Sequence, residues 1–212
     1  LASPFWEDAL SRTPNEARTL LTAGRADEFA DLAEREAGEL SLAEETFEDL
    51  SVTGFRFTDV DLSNTEWNGC LFTRCRFDEV PLEGALFDAC TFVECTFRGA
   101  DLTGAAVEGC VFRTSEFERI ETADSEWSGV EFHASTVSDT TFAAASFSAV
   151  SVNGGAWTRV RIVECTWSSV SFRDCPLEGV VVEDSELAAC TTNRDPVPDG
   201  FTRASGRRRS VT

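Results

Sequence analysis

Several residue types that carry common chemistries are scarce or missing. All 18 basic residues are arginine, tyrosine and methionine are absent, and there is one histidine. A single histidine rules out a metal-binding histidine cluster, and no glycine-rich loop has the spacing that cradles a phosphate. No stretch of eighteen apolar residues occurs, which excludes an apolar helix across a membrane. The sequence also lacks a charged start followed by an apolar run and a small-residue cleavage site, so a cytoplasmic location is expected rather than secretion. Positive charge is scarce: 18 arginines face 38 acids, for a net of −20. A body so acidic repels nucleic acid and anionic membranes over most of its surface, and its expected partner is a basic groove on another protein.

What the chain does contain is a period of five. Residues whose numbers end in 2 or 7, from Phe47 to Leu187, are apolar at every position but Thr122. Two residues earlier, at numbers ending in 0 or 5 from Leu50 to Cys190, none is charged. Those are 58 positions in a chain that is 26% charged, where chance would place about 15 charges, so the pattern is a strong one. Five fits neither a helix at 3.6 nor a strand at 2, but it fits a chain that turns a corner every five residues. Four sides close a square coil of about 20 residues, and 29 repeats make about seven coils, on the order of 34 Å long at the spacing of neighbouring strands. The predicted fold is an all-β solenoid, a quadrilateral β-helix with residues 20 apart stacked in columns. Phe72, Phe92, Phe112 and Phe132 form one expected ladder, and Phe57, Phe77, Phe97 and Phe117 another. Each large Trp follows a small inward partner, Thr65 before Trp67, Ser125 before Trp127, Gly155 before Trp157 and Cys165 before Trp167, which compensates volume locally.

The predicted divisions are a helical capping segment at 1–40, the β-helix at 41–193 and a polar, partly disordered tail at 194–212. Ser3-Pro4 and Thr13-Pro14-Asn15-Glu16 read as helix starts, and 26–37 as a third short helix ended by Gly38. Ala30-Asp31-Leu32 also fits the repeat in phase, but Arg35 would then point inward, which favours helix. All eight cysteines fall on the inward phase, where Val, Ala and Ser occupy equivalent places, so reduced and buried thiols are expected rather than a zinc site or disulfides. His133 has no nucleophile beside it by phase. A convex rod with a filled interior offers no evident cleft, and neither enzyme activity nor a cofactor is expected.

The outward charges separate by side. Numbering the walls in chain order from Phe47, the first wall carries Glu48, Asp49, Glu66, Asp88, Glu108, Glu126 and Glu186 with no arginine, a net of −7. The fourth wall, bearing Leu62, Leu82 and Leu102, carries Asp61, Glu83, Asp101, Glu121, Asp124, Glu164, Glu183 and Asp184 against Arg161, also −7. These two walls adjoin. The second and third walls come to +1 and −2, so the acidic half stands at −14 and the mixed half at −1. The acidic half carries about one charge per ~2.4 Å, against one per ~1.7 Å in duplex DNA.

The five-residue wording resembles the pentapeptide-repeat family: Ala100-Asp101-Leu102-Thr103-Gly104 matches its unit outright, and Val60-Asp61-Leu62-Ser63-Asn64 nearly does. The resemblance implies a right-handed β-helix. It also implies, by likeness to the acidic and uninterrupted members, a non-enzymatic DNA mimic that forms a homodimer. Such members occupy the DNA-binding saddle of DNA gyrase, a type II topoisomerase, inhibiting it or shielding it from quinolones and peptide toxins. The fifteen acids of the first and fourth walls would then be the contact surface. The sequence departs from those members in its N-terminal segment of about 40 residues and in a tail too polar for an apolar dimerising helix. The rival reading is a protein-interaction scaffold using the arginine-bearing walls or the N-terminal helices.

Overall fold

At every fifth residue from Glu44 to Ala189 the backbone φ is positive, and 21 of those corners are not glycine. A left-handed residue turns the chain sharply, so this unbroken series produces a square winding out of short straight segments. The computed structural model describes residues 12–36, 38–195, 197–198 and 201–203. Over them the chain forms a right-handed parallel β-solenoid of about eight turns, with two short helices at its N-terminal end. Residues 20 apart pair in register throughout, as in Phe47 with Trp67, Phe72 with Phe92 and Phe97 with Phe117. The first wall is an eight-stranded parallel sheet, the second has nine strands and the third six. The fourth wall is different. Between two short sheets it is held by isolated bridges at Pro81, Asp101, Glu121 and Thr141.

The coil count exceeds the sequence estimate of seven because the winding starts earlier. Leu40–Ser41 forms a short strand, paired with Val60–Asp61. Leu40 and Leu42 are buried on the inward phase, but Glu45 sits on that phase too and breaks the pattern by which the repeat is recognised. Its carboxylate is only half-buried and ion-pairs with Arg18 from the helix above.

The interior is a dry aromatic stack. Phe72, Phe92, Phe112 and Phe132 follow one another at 4.7, 4.7 and 5.1 Å between ring centroids. The second ladder, from Phe57 to Phe117, is spaced at 4.9, 4.5 and 4.7 Å. Offset-stacked rings at the strand spacing satisfy both ring quadrupole and close packing. Thr122, the one polar residue among the positions ending in 2 or 7 from Phe47 to Leu187, is buried and donates its hydroxyl to the Thr141 carbonyl at 3.1 Å. All eight cysteines are free and buried.

The small partners of the tryptophans do more than leave room at two sites and something else at a third. Thr65 Oγ1 and Ser125 Oγ accept the indole N–H of Trp67 and Trp127 at 2.9 and 3.0 Å. Trp157 and Trp167 have no such acceptor, and their Nε1 atoms are buried without a hydrogen-bond partner. Gly155 serves the backbone: its φ is +79°, and a Cβ there would lie 1.9 Å from the Ser135 carbonyl oxygen one coil away.

Helix α1 (Arg12–Thr22) and helix α2 (Ala26–Glu36) cover the N-terminal end. The expected start at Ser3-Pro4 lies outside the described residues. Helix wins over the in-phase repeat at 30–32 because Phe29, Leu32 and Ala33 bury one face while Arg35 stays outside and ion-pairs with Glu16 and Glu36. Phe29 closes the aromatic stack edge-on against Phe55 and Phe57, at 5.3 and 5.6 Å. At the other end the tail turns back. Phe201 is buried beside Phe172 and Trp167, and Thr202–Arg203 adds a further strand to the second wall. The polar composition of that tail gives no sign of this.

Candidate functional site

On the fourth wall the acids are part of the turn chemistry. Leu62, Leu82 and Leu102 accept the amides of Thr65, Ala85 and Ala105, with the positive φ at Asn64, Gly84 and Gly104, the geometry of a type II turn. Just before these turns, Asp61 Oδ1 and Asp101 Oδ1 each accept the backbone N–H two residues on, at 2.9 Å. Each thus forms an Asx-turn while its other oxygen stays at the surface.

All fifteen acids of the acidic half are at the surface: Asp61, Glu83, Asp101 and Glu183 are half-buried and the other eleven exposed. Among the described residues only Glu183 has an ion-pair partner, Arg161 at 2.6 Å. Hydroxyls, which carry no charge, serve several others. Ser41 donates to Asp61, Ser63 to Glu83 and Thr46 to Glu66, at 3.1, 3.1 and 3.4 Å. Like charges are stacked in direct register, Asp88 beside Glu108 and Asp101 beside Glu121. The mixed half is compensated by contrast. On the third wall Arg98 bonds Glu118 at 2.8 Å, and the Arg159 guanidinium holds the Asp139 carboxyl below its usual range. On the second, Arg194 pairs with Asp174 at 3.1 Å and His133 with Glu131 at 2.8 Å.

Height along the axis matters as much as side, and the sequence reading sorted only by side. Eleven of the fifteen acids, from Glu48 to Glu126, lie in the first five coils. The next coil presents Thr141, Ala143, Ala144, Ser146, Ser148 and Ala149 on these walls, without a charge. In the coil after it Glu164 is offset by Arg161, and Glu183, Asp184 and Glu186 stand apart at the last coil. Five coils span about 24 Å, so the continuous acidic face carries about one charge per ~2.2 Å. Glu44 extends that face; it lies before the point from which the repeat was counted and is exposed at a corner with φ +64°.

Cavities are shallow and lie at the N-terminal end or on the corners. One of about 530 Å³ is between α1 and α2, and its arginines are paired within it, Arg25 with Glu28 and Arg35 with Glu16. Among the described residues no group of three His, Cys, Asp or Glu is placed to hold a metal, and no helix is long and apolar enough to cross a membrane.

A family model described as a pentapeptide repeat region matches residues 70–141. No curated protein matches the sequence. Among solved structures, the chain is similar to full-length QnrB1, a plasmid-mediated fluoroquinolone resistance protein, at 18% identity over 78% of this chain and 92% of that one, with a TM-score of 0.37. It is also similar to HetL, a pentapeptide repeat protein involved in heterocyst differentiation regulation in the cyanobacterium Nostoc sp. strain PCC 7120, at 12% identity over 72% and 92%, with a TM-score of 0.24. A third is a pentapeptide repeat protein of the Arabidopsis thaliana thylakoid lumen, at 18% identity over 56% of this chain and 64% of that one, with a TM-score of 0.18. The first two have different roles by name and the third has none, and likeness at this level assigns this chain no role.

Proposed function

We propose that this chain, a member of the pentapeptide-repeat family, is a non-enzymatic binding rod whose first and fourth walls imitate DNA and enter a basic, DNA-binding groove on another protein. The observation that supports it is the uncompensated face of the first five coils, where acids stand in register with one another and no arginine answers them. Keeping stacked carboxylates ionised and unpaired costs self-repulsion, which a basic groove relieves on binding. A type II topoisomerase, DNA gyrase, is the partner to test first. Occupying its DNA-binding surface would inhibit it or shield it from quinolones or peptide toxins.

The test is a supercoiling assay with purified gyrase. Supercoiling should be lost at micromolar protein and restored by combining Asp101→Asn, Glu121→Gln and Asp124→Asn. Asparagine at 101 keeps the Asx-turn, so the variant loses charge without losing the corner. If the neutralised variant inhibits as well as the parent, or the parent has no effect at low salt, the acidic walls are not the contact surface for gyrase.

A further inference from the structure

Across the rod from the acidic face, the corner between the second and third walls carries the opposite charge. On the solenoid, Arg98, Arg119, Arg159, Arg161 and Arg194 each sit in an ion pair; among the described residues Arg113 and Arg173 have none, and neither do Arg56, Arg74 and Arg76. These three are exposed and share that one corner. Arg56 and Arg76 pair in parallel register on successive coils, so their side chains leave the wall about 4.8 Å apart. Arg74 holds the left-handed corner residue two positions before Arg76.

Acids are close enough to answer them and do not. Asp78, two residues along from Arg76 on the same strand, keeps Oδ1 buried without a hydrogen-bond partner. Glu94 stands one coil above Arg74, and no ion pair joins them. In a chain with 38 acids and 18 arginines, three cations left together and unpaired form a site rather than a residue of the general charge balance. Its extent is small. Thr96 takes the place above Arg76, so the basic column ends after two coils.

We infer that this corner docks a phosphorylated side chain of a partner protein. A phosphoryl group concentrates a charge of about −2 and three acceptor oxygens on one atom, which suits three neighbouring guanidinium forks. A run of carboxylates or a nucleic-acid strand would need cations repeated up the rod, whereas this column ends at Arg76, and Val93 and Glu94 separate Arg74 from the next exposed arginine of the wall, Arg113. Leu71, 39% exposed and three residues before Arg74 on the second wall, offers an apolar contact for a residue flanking the phosphoryl group. The acidic walls lie across the body of the rod, and at physiological salt a screening length of about 8 Å weakens their repulsion at this corner.

The experiment uses the full chain and three fluorescent degenerate peptide pools that differ only at a central phosphoserine, serine or glutamate, read by anisotropy. The phosphoserine pool should bind about tenfold tighter than the glutamate pool, and weaken as pH falls from about 7.5 to about 5.5 while the second phosphoryl proton returns. The double variant Arg56→Gln, Arg76→Gln should lose about tenfold or more, and Arg173→Gln, at an exposed arginine elsewhere on the second wall, should change nothing. Circular-dichroism melting of each variant establishes that the fold is kept. Equal binding of the three pools, no binding of any, or full binding by the double variant overturns the proposal. So does displacement by inorganic phosphate at the same concentration as peptide, since the corner would then hold a free ion rather than dock a protein.

Discussion

The inward positions decide between hydroxyl, thiol and methyl for reasons that each side chain can be tested on. Trp67 and Trp127 have a hydroxyl two residues before them that takes the indole proton, whereas Trp167 has Cys165 and only a sulfur, a weak acceptor. Cys165 Sγ donates to the Phe142 and Val163 carbonyls at 3.2 and 3.3 Å, bonds a serine hydroxyl makes equally well at Ser115 and Ser135. Cys165→Ser should therefore stabilise the protein by about 1 kcal/mol, seen as a rise in the urea midpoint. A fall would mean that the thiol's packing outweighs the indole bond. The missing lysine and tyrosine give the thiols a second signature. Above pH 9 cysteine is the side chain that titrates in the unfolded chain, and at Cys90 and Cys175 the core favours the neutral form. The hydrogen bond to Cys110, and burial, push Cys90 up to about 12, and burial pushes Cys175 up to about 12. A folded-state pKa raised from the ordinary 9.0 means full stability below pH 9 and a loss as pH climbs towards 12, because the unfolded chain releases those protons first. Urea midpoints at about pH 8 and about pH 11 should show the fall, and Cys175→Ala should make it shallower. An unchanged slope in that variant would remove the assignment.

At the scale of elements, the ends of a stack are its weak points, because a terminal coil has a neighbour on one side only. Helix α2 meets this with Phe29, whose ring is buried against Phe55 and Phe57. Phe29→Ala should cost about 3 kcal/mol and expose the aromatic stack to dyes that bind apolar surface. An unaltered melting curve would show that the helices ride on the coil without closing it. Why this cap was only partly legible follows from the same residues. Leu32 fits both a helical face with Phe29 and Ala33 and the five-residue phase with Ala30, and the outward Arg35 settles the matter only once the helix is seen to pair it with Glu16. At the far end nothing local marks Phe201 as a cap, since its burial depends on Trp167 and Phe172, distant in sequence.

For the whole molecule, the distribution of charge matters more than its sum. A net of −20 keeps the rod soluble wherever the charges lie, but a face of eleven acids over five coils can steer towards one kind of groove. If that face drives binding, the concentration needed to inhibit gyrase should rise at least about tenfold between about 50 and about 200 mM salt. A change below about twofold would point to apolar contact instead. Neutralising Glu164 or Glu186, beyond the uncharged coil, should matter much less than neutralising Asp101 or Glu121.

The five-residue period alone determined the winding, the inward columns and which wall each acid belongs to, because a corner at each fifth residue leaves a side chain no choice of direction. The sequence by itself could not decide which charges answer one another. Pairing depends on height as well as side, and on side-chain reach between residues 20 apart, so the unanswered acids of the first five coils and the unanswered arginines at the opposite corner became visible only in the tertiary structure. The same holds for the two caps and for the coil begun at Leu40, where Glu45 on the inward phase is tolerated because Arg18, from helix α1 packed on the end of the coil, supplies its partner.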